Sequence, residues 1–280
     1  MEIKTDKSGY SSSVKSPLNW QGNKRSLLAF TNFTKYFPPI SRGGTYIELF
    51  CGSCVVFFNY AFKRNIITNV ILNDQNCNIQ KFFTLMRENR EEMEMRLESL
   101  WIGLEDFITP KDEIDEILIW YIKNSKAPNG IQRPSTITKD FKFWCDLLNK
   151  QNVIFTSHNW KKSFKSLPVR MNKNRTNIMY FDPPYDDTKG YKCEFDLCEW
   201  AQCMSEKFIT NKDKYTYCFI SLNDTQKVRE LFQNWHIKEL YTFASTNTNK
   251  KRTELLISNL PFVNYTQKSK KLTDLGEKNE

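Results

Sequence analysis

The sequence predicts an α/β protein built on a mostly parallel sheet with helices on both faces. Short apolar runs rich in β-branched and aromatic residues alternate along the chain with longer runs at helical spacing. Strands and helices in alternation pack as a parallel sheet that is covered on both sides. The last two apolar runs, residues 236–243 and 252–258, are separated only by a short polar stretch, which predicts a closing antiparallel hairpin.

The earlier strands and helices follow from the same patterns. Strands are expected in chain order at residues 45–50, 69–74, 152–157, 177–182 and 215–221. A helix over "VVFFNYAFKR" is expected after the first strand, and one over "NIQKFFTLMRENREEMEMRLESLW" after the second. The chain of 280 residues is long enough for one large domain, or for one domain that carries an insertion.

Residues 86–150 interrupt the alternation with charged helices and the turn-rich stretch "NSKAPNGIQRPSTITKD". We interpret this region as an inserted subdomain; the alternative is a longer helical crossover. The expected organisation is a flexible end at 1–14, a discontinuous domain at 15–85 and 151–263, the inserted subdomain at 86–150 and a polar tail at 264–280.

The charge distribution favours a polyanionic partner. The formal net charge is +9, and residues 150–175 carry seven basic side chains and no acidic one. A concentrated basic stretch predicts nucleic acid as the partner, with a merely solvated basic surface as the alternative. The chain has no run of about 18 apolar residues. Its first residues lack the apolar core of a signal peptide, so we expect a cytoplasmic protein without a membrane partner.

The stretch "MYFDPPYDD", residues 179–187, carries the clearest chemical signal. An apolar strand ends in Asp182, and Pro183, Pro184 and Tyr185 follow. Ligands of open α/β sheets bind at the carboxyl ends of the strands, so Asp182 is expected to project into the site. The two prolines leave carbonyl oxygens as the only main-chain polar groups. A carboxylate, a carbonyl and an aromatic ring suit an amine on a flat base; the alternative is a plain strand-ending turn.

The stretch "IELFCGSCVVFFN", residues 47–59, has two interpretations. Cys51 and Cys54 form a C-x-x-C pair, which is typical of a redox dithiol or of half a zinc site. The same residues also predict a strand, a turn at Gly52 and Ser53, and a helix, which together bring backbone N–H groups close to a nucleotide-like cofactor. A zinc site needs further ligands, and the two histidines of the chain lack suitable spacing. We favour the cofactor loop and expect no metal.

Several motifs, in order along the chain, resemble the Dam-type (alpha) group of adenine-N6 DNA methyltransferases. "PLNWQGNKRSLL" (17–28) is similar to the N-terminal cofactor motif of that family, and "IELFCGSCVVFFN" to its glycine-containing loop. "LND" (72–74) is similar to the ribose-binding strand end, Asp-Pro-Pro-Tyr to the catalytic motif, and "KKRTELLISN" (250–259) to a strand near the C-terminus. Asn23 and Cys54 stand where the family has glycines.

The resemblance implies a Rossmann-like class I S-adenosylmethionine-dependent methyltransferase sheet with an inserted, mainly helical target-recognition subdomain. It implies methyl transfer from S-adenosylmethionine to N6 of an adenine flipped out of double-stranded DNA. The implied catalytic residues are Asp182, Pro183, Pro184 and Tyr185. The implied cofactor-binding residues are Trp20, Lys24, Glu48, Phe50, Gly52, Ser53, Asp74, Asn159 and Asp182.

DNA contacts are expected chiefly in the inserted region. "NGIQR" (129–133) is similar to a base-reading hairpin of the family, in which Arg133 could donate two hydrogen bonds to a guanine. The expected DNA-binding residues are Asn129, Ile131, Arg133, Lys161, Lys162, Lys250 and Arg252. A plain surface turn and solvated lysines are the alternatives.

The resemblance also bears on partners and on rival functions. Double-stranded DNA is the expected partner, together with a cognate restriction endonuclease if the enzyme serves restriction–modification in a bacterium or phage. A monomer is expected, with a dimer on DNA as the alternative. The rival functions are methylation of another planar amine (cytosine N4, RNA adenine or protein glutamine) and DNA binding by a protein that has lost catalysis.

Overall fold

A computed structural model describes residues 15–18, 20, 22, 24–40, 42–64, 69–102, 109–125, 141–166, 175–185, 195–209, 215–244 and 247–265. The strands within these residues are β1 (Thr45–Glu48), β2 (Asn69–Asn73), β3 (Asn152–Thr156), β4 (Asn177–Phe181), β5 (Thr216–Asn223), β6 (His236–Ala244) and β7 (Asn247–Ser258). In this described part of the chain they form one seven-stranded sheet in the order β3-β2-β1-β4-β5-β7-β6.

The sheet is mostly parallel and ends in an antiparallel pair. β2 pairs with β3 in parallel, and β4 pairs with β5 in parallel. β7 runs antiparallel to both β5 and β6, so the last strand of the described residues lies inside the sheet and β6 lies at its edge. The predicted fold class, a Rossmann-like α/β sheet with a C-terminal antiparallel hairpin, is confirmed.

The described helices are α1 (Arg25–Thr31), α2 (Val55–Arg64), α3 (Cys77–Glu88), α4 (Arg90–Ile102), α5 (Glu113–Ser125), α6 (Phe141–Asn149), α7 (Trp160–Ser166), α8 (Leu197–Phe208) and α9 (Gln226–Leu231). The single helix expected after the second strand is two helices. Asn89 ends α3 with a φ of −130°, outside the helical range, while its N–H still bonds to Leu85 O. No helix in the described ranges has the length and apolarity needed to cross a bilayer.

The chain forms two compact units. Unit I takes its described residues from Lys24–Ile47 and Pro168–Glu280. All five residues of β4 are buried. Phe33, Phe37 and Tyr180 form an aromatic cluster in which each pair of ring centroids lies 5.9 Å apart. Tightly packed aromatic rings fix the position of β4, and with it the point at which the polar residues after Phe181 begin.

Unit II takes its described residues from Val14–Asn23 and Glu48–Leu167. α3 begins directly after β2 because the Asn76 side chain accepts a hydrogen bond from the Asn78 N–H and caps the helix. The buried residues of α3 recur at helical spacing and face the unit core. The described residues between 86 and 150 are mainly helical and belong to unit II; the domain boundaries expected at 85 and 151 stay predictions.

Candidate functional site

In unit I the strand β4 delivers Asp182 to a cluster of charged and polar side chains. Asp182 follows Phe181, the last buried residue of the strand, and Pro183 after it is buried as well. A proline ring fixes φ and removes the N–H, so the chain leaves the sheet stiffly and without a main-chain donor at this point. The Asp182 side chain is 18% exposed. The strand thus places one carboxylate at the boundary between core and solvent.

A buried lysine faces this carboxylate. Lys24 Nζ lies 2.9 Å from Asp182 Oδ1 and 3.4 Å from Glu254 Oε2. It also donates a hydrogen bond to the Tyr185 hydroxyl, and that hydroxyl in turn donates to Glu254 Oε2 at 3.1 Å. The ammonium has three N–H bonds, and these three groups match them in number. We call Lys24, Asp182, Tyr185 and Glu254 the Asp182 cluster.

The electrostatics of the Asp182 cluster follow from burial and from this charge arrangement. Burial raises the pKa of Asp182 to about 6, although the Lys24 ammonium pulls the pKa down; Glu254 raises it. Burial alone would lower the pKa of Lys24, yet the carboxylates of Asp182 and Glu254 hold that pKa above its ordinary value. Lys24 is therefore a permanent cation, and Asp182 is the group that titrates near neutrality.

In unit II the turn after β1 is tight and contains two left-handed residues. Gly52 has a φ of 46° and Cys54 a φ of 54°, and the Cys54 N–H bonds to Cys51 O at 2.6 Å. A Cβ on Gly52 would lie 3.0 Å from Trp20 Cδ1, so both its φ and this close contact favour glycine. We call residues 51–54 the Gly52 loop.

Asp74 braces the Gly52 loop from the end of β2. Its Oδ2 accepts the Gly52 N–H at 2.9 Å and its Oδ1 accepts the Asn76 N–H at 2.9 Å. Burial raises the pKa of Asp74, and these two hydrogen bonds oppose the rise. Each carboxylate oxygen has about two lone-pair sites, so each can still accept a hydroxyl. The side chain can support the loop and bind a ribose at the same time.

The two cysteines of the loop are buried thiols. Burial raises the pKa of Cys51 and of Cys54. A reactive dithiol centre needs a lowered thiol pKa, so the raised pKa of both thiols favours the cofactor loop over a redox pair. Among the described residues, no three His, Cys, Asp or Glu side chains lie together as a metal site.

The segment that precedes Lys24 is anchored to unit II by α5. The Tyr121 hydroxyl donates to Pro17 O at 2.9 Å, and the Trp120 and Trp20 rings lie 5.7 Å apart. Ser16 Oγ donates to Ser53 O in the Gly52 loop. These contacts hold Trp20 against Gly52.

Sequence reasoning missed three residues of these arrangements: Glu254, Tyr121 and Asn73. Asn73 is 1% exposed, and its side chain makes four hydrogen bonds. Its Nδ2 donates to Leu49 O and His158 O, and its Oδ1 accepts from the Thr156 hydroxyl and the His158 N–H. It ties the ends of three strands together. The only signal in the sequence is an amide in an otherwise apolar run, "VILN".

The remaining expected cofactor residues are placed as follows. Glu48 is buried at 2% exposure, Ser53 is buried, and Phe50 is half-buried. Asn159 is exposed, and its Oδ1 accepts the Lys162 N–H at 2.9 Å, which caps α7. Its amide nitrogen remains the part of the side chain that could reach a ligand.

The expected DNA-binding residues are described only in part. Asn129, Ile131 and Arg133 lie outside the described residues. Lys161 and Lys162 are exposed on α7, and Lys161 Nζ lies 5.4 Å from the centroid of the Trp160 ring. Only the backbone of Lys250 and Arg252 is described, as part of β7.

A family model described as D12 class N6 adenine-specific DNA methyltransferase matches residues 20–116. This range holds Trp20, Lys24, the Gly52 loop and Asp74. The match confirms the resemblance to the Dam-type group over this part of the chain, and with it the expected S-adenosylmethionine-dependent methyl transfer. No curated protein matches the sequence.

Solved structures are similar to the fold at low identity. Precorrin-6y C5,15-methyltransferase from Geobacter metallireducens is 9% identical, with 91% of this chain and 96% of that chain covered and a TM-score of 0.40. The rRNA methyltransferase AviRa from Streptomyces viridochromogenes is 9% identical, with 89% of each chain covered and a TM-score of 0.42. The N-terminal domain of human METTL16 in complex with SAH is 10% identical, with 78% of this chain and 62% of that chain covered and a TM-score of 0.36.

Proposed function

We propose that the protein transfers a methyl group from S-adenosylmethionine to the N6 amine of an adenine flipped out of double-stranded DNA. The observation that carries the proposal is the Asp182 carboxylate at the end of β4, paired with the Lys24 ammonium beside Tyr185. The family match supports methyl transfer as the reaction and favours adenine in DNA as the acceptor.

The Asp182 cluster suits an amine that is a poor nucleophile. The lone pair of the adenine amine is delocalised into the ring, and its two N–H bonds need two acceptors. The Asp182 carboxylate and the Pro183 carbonyl would each accept one of these bonds, which turns the lone pair toward the donor. Holding the amine in this geometry supplies much of the acceleration, because positioning of reactants removes an entropic part of the barrier.

Tyr185 provides the surface for the extruded base. An adenine inside a duplex cannot reach a carboxylate at the end of a strand, and flipping it out costs a few kcal/mol. Stacking on an aromatic ring recovers about 1–3 kcal/mol. The hydroxyl of Tyr185 is held by Lys24 and Glu254, so its ring is oriented before a base arrives.

The Gly52 loop fits S-adenosylmethionine. When bound, this cofactor supplies a methyl group on a sulfonium, which is already an excellent leaving group. Asp74 would accept from the ribose hydroxyls with its spare lone pairs, and Gly52 would let the backbone approach closely. Trp20 would close one wall of the cofactor site, which the N-terminal motif implies for this position.

Asp182 would also accept the proton that the amine loses on methylation. The amine nitrogen forms a new bond to carbon and must lose one of its two protons, and the Asp182 carboxylate is placed to take it. With a pKa of about 6, Asp182 is ionised at neutral pH and can release the proton to water afterwards. Because the carboxylate form is required, activity should fall as the pH drops through about 6.

Replacement of Asp182 tests the proposal. Asp182→Ala should reduce tritiated-methyl transfer to a double-stranded oligonucleotide by about a hundredfold or more. Calorimetry should find that the variant still binds S-adenosylhomocysteine, because the Gly52 loop is intact. Asp224→Ala is the matched control: Asp224 also follows a strand of unit I, but it pairs with Arg229 and should be dispensable. Turnover by Asp182→Ala within tenfold of the wild type would remove Asp182 from the mechanism.

A DNA-binding protein without catalysis is the second candidate. The observation in its favour is Cys54, which takes the left-handed conformation that favours glycine at a position where the resembling family has one. Absence of S-adenosylhomocysteine binding by the wild type, with DNA binding retained, would support this candidate. Single-stranded DNA, RNA and adenine-free duplexes in the same transfer assay separate the rival acceptors.

A further inference from the structure

Glu254 brings a second carboxylate into the Asp182 cluster. It lies on β7, opposite Asn223 of β5 and Leu240 of β6. Its Oε2 is 3.4 Å from Lys24 Nζ and 3.1 Å from the Tyr185 hydroxyl, and its side chain is 20% exposed. The residues that follow it, Leu255–Ile257, are buried. Glu254 is therefore a partly buried acid that contacts both Lys24 and Tyr185.

The Lys24 ammonium explains why a second carboxylate is tolerated in the Asp182 cluster. A second negative charge near Asp182 is unfavourable unless both carboxylates share a cation. Lys24 is that cation, and its side chain is only 6% exposed. Lys24 Nζ pairs with both carboxylates, so its ammonium is attracted toward Glu254 as well as toward Asp182. Asp182 therefore keeps more of its capacity to accept hydrogen bonds.

Glu254 also contacts the Tyr185 hydroxyl. This hydroxyl accepts from Lys24 and donates to Glu254 Oε2, so both its acceptor and its donor capacity are used within the cluster. The Lys24 ammonium also lies 4.7 Å from the centroid of the Tyr185 ring. The hydroxyl also hydrogen-bonds to Asp182, so Glu254 is one of two carboxylates that hold the hydroxyl and, through it, the orientation of the ring.

We propose that Glu254 is a positioning residue of the methyl-transfer site: it orients Tyr185 and draws the Lys24 ammonium partly away from Asp182. This inference rests on the proposed function. In the transfer, the amine nitrogen bonds to the methyl carbon with its lone pair, and the electrons of the broken carbon–sulfur bond stay on sulfur. The nitrogen then gives one proton to Asp182, which passes it to water. Glu254 makes Asp182 the better acceptor for that proton.

Replacing Glu254 and replacing Lys24 should shift the pKa of Asp182 in opposite directions. In unit I the described charged or titratable groups that act on Asp182 are Lys24 from the start of α1, Glu254 from β7 and Tyr185; Tyr180 of β4 acts on Lys24. Glu254→Gln removes a repelling charge but keeps an oxygen for the Tyr185 hydroxyl, so the pKa of Asp182 should fall. Lys24→Met removes the attracting charge, so that pKa should rise.

The direct test is a carboxyl ¹³C NMR titration of the protein without ligand, with the Asp182 resonance identified by its loss in Asp182→Asn. Glu254→Gln should lower the Asp182 midpoint by about one pH unit, and Lys24→Met should raise it by a similar amount. The acid limb of the kcat profile for methyl transfer should move in the same two directions. Glu254→Asp should restore part of the wild-type midpoint.

The chain offers a matched control. Glu239 also accepts from a tyrosine hydroxyl, that of Tyr241, and from an arginine, Arg229, but it lies on β6 at the surface. Glu239→Gln should leave the Asp182 midpoint and the kcat profile unchanged. An Asp182 midpoint that stays at its wild-type value in Glu254→Gln overturns the inference, and this variant decides alone if Lys24→Met does not fold.

Failure of the proposed function gives a different result. In that case the wild type transfers no methyl groups to DNA, while the midpoints still move with Glu254→Gln as expected. The shared ammonium would then stand as a property of the cluster, and the role of Glu254 in methyl transfer would be overturned together with the proposed reaction.

Discussion

Gly52 is the residue at which backbone conformation and side-chain contact combine most clearly. Its φ of 46° costs a residue with a side chain about 1–2 kcal/mol. Its Cβ position lies 3.0 Å from Trp20 Cδ1, on the flank of the ring. A larger residue would have to move either the loop or the indole, and both belong to the proposed cofactor site.

Gly52→Ala should therefore weaken S-adenosylhomocysteine binding by about tenfold or more, since 1.4 kcal/mol corresponds to a factor of ten. Isothermal titration calorimetry measures this directly. Gly43→Ala is the control, because Gly43 also has a positive φ, 77°, but lies in unit I beside the flexible end of Arg175. Gly43→Ala should lower stability and leave the affinity unchanged. Equal affinities of Gly52→Ala and wild type would show that the loop does not touch the cofactor.

At this scale the sequence predicted Asp182 and Gly52 but not Glu254. Asp182 could be found because an apolar run ends in it and two prolines follow, a purely local pattern. The pairing of Lys24 with Glu254 joins residues far apart in the chain, and nothing local in "RTELLIS" marks its glutamate as different from a solvated one. Which acid meets which base depends on strand order.

At the scale of elements, α5 holds the N-terminal motif in place. Tyr121 stacks on Phe82 of α3, with ring centroids 4.6 Å apart, and its hydroxyl donates to Pro17 O. Trp120, the residue before it, lies against Trp20. Two adjacent residues of one helix thus anchor the segment that places Trp20 beside the Gly52 loop.

Tyr121→Phe keeps the stacked ring and removes only the hydroxyl. A net hydrogen bond contributes about 0.5–1.5 kcal/mol, so S-adenosylhomocysteine affinity should fall roughly threefold to tenfold. Tyr241→Phe, which removes a surface hydroxyl bonded to Glu239, serves as the control and should bind normally. Unchanged affinity in Tyr121→Phe, measured by calorimetry on a variant with wild-type circular dichroism, would contradict the anchoring role of α5.

Most of the expected helices and strands are present in the structure, with one difference. Apolar residues at helical spacing run from α3 into α4, so the sequence predicted one helix there. Asn89 breaks it through its own backbone conformation, which the spacing of apolar residues does not encode. The role of α5 could not be predicted either, because the hydrogen bond joins residues 121 and 17, which are 104 positions apart in the chain.

At the scale of the whole molecule, the order of the strands could be predicted only in part. Alternating strands and helices predicted the parallel sheet, and the last two apolar runs predicted a hairpin. The hairpin inserts β7 between β5 and β6, however, and chain order alone does not reveal this. That insertion is what brings Glu254 to Lys24 and Tyr185. The charge of +9 favours a polyanionic substrate, and the family match over residues 20–116 favours DNA.

In the proposed function, Asp182 directs methyl transfer to adenine N6 in DNA. The most direct measurement is single-molecule sequencing of DNA from a host that has no adenine methyltransferase of its own and expresses either the wild type or Asp182→Ala. N6-methyladenine is expected at one defined sequence with the wild type and none with the variant. Methylated cytosine instead of adenine, or the same adenine pattern from both proteins, would contradict it.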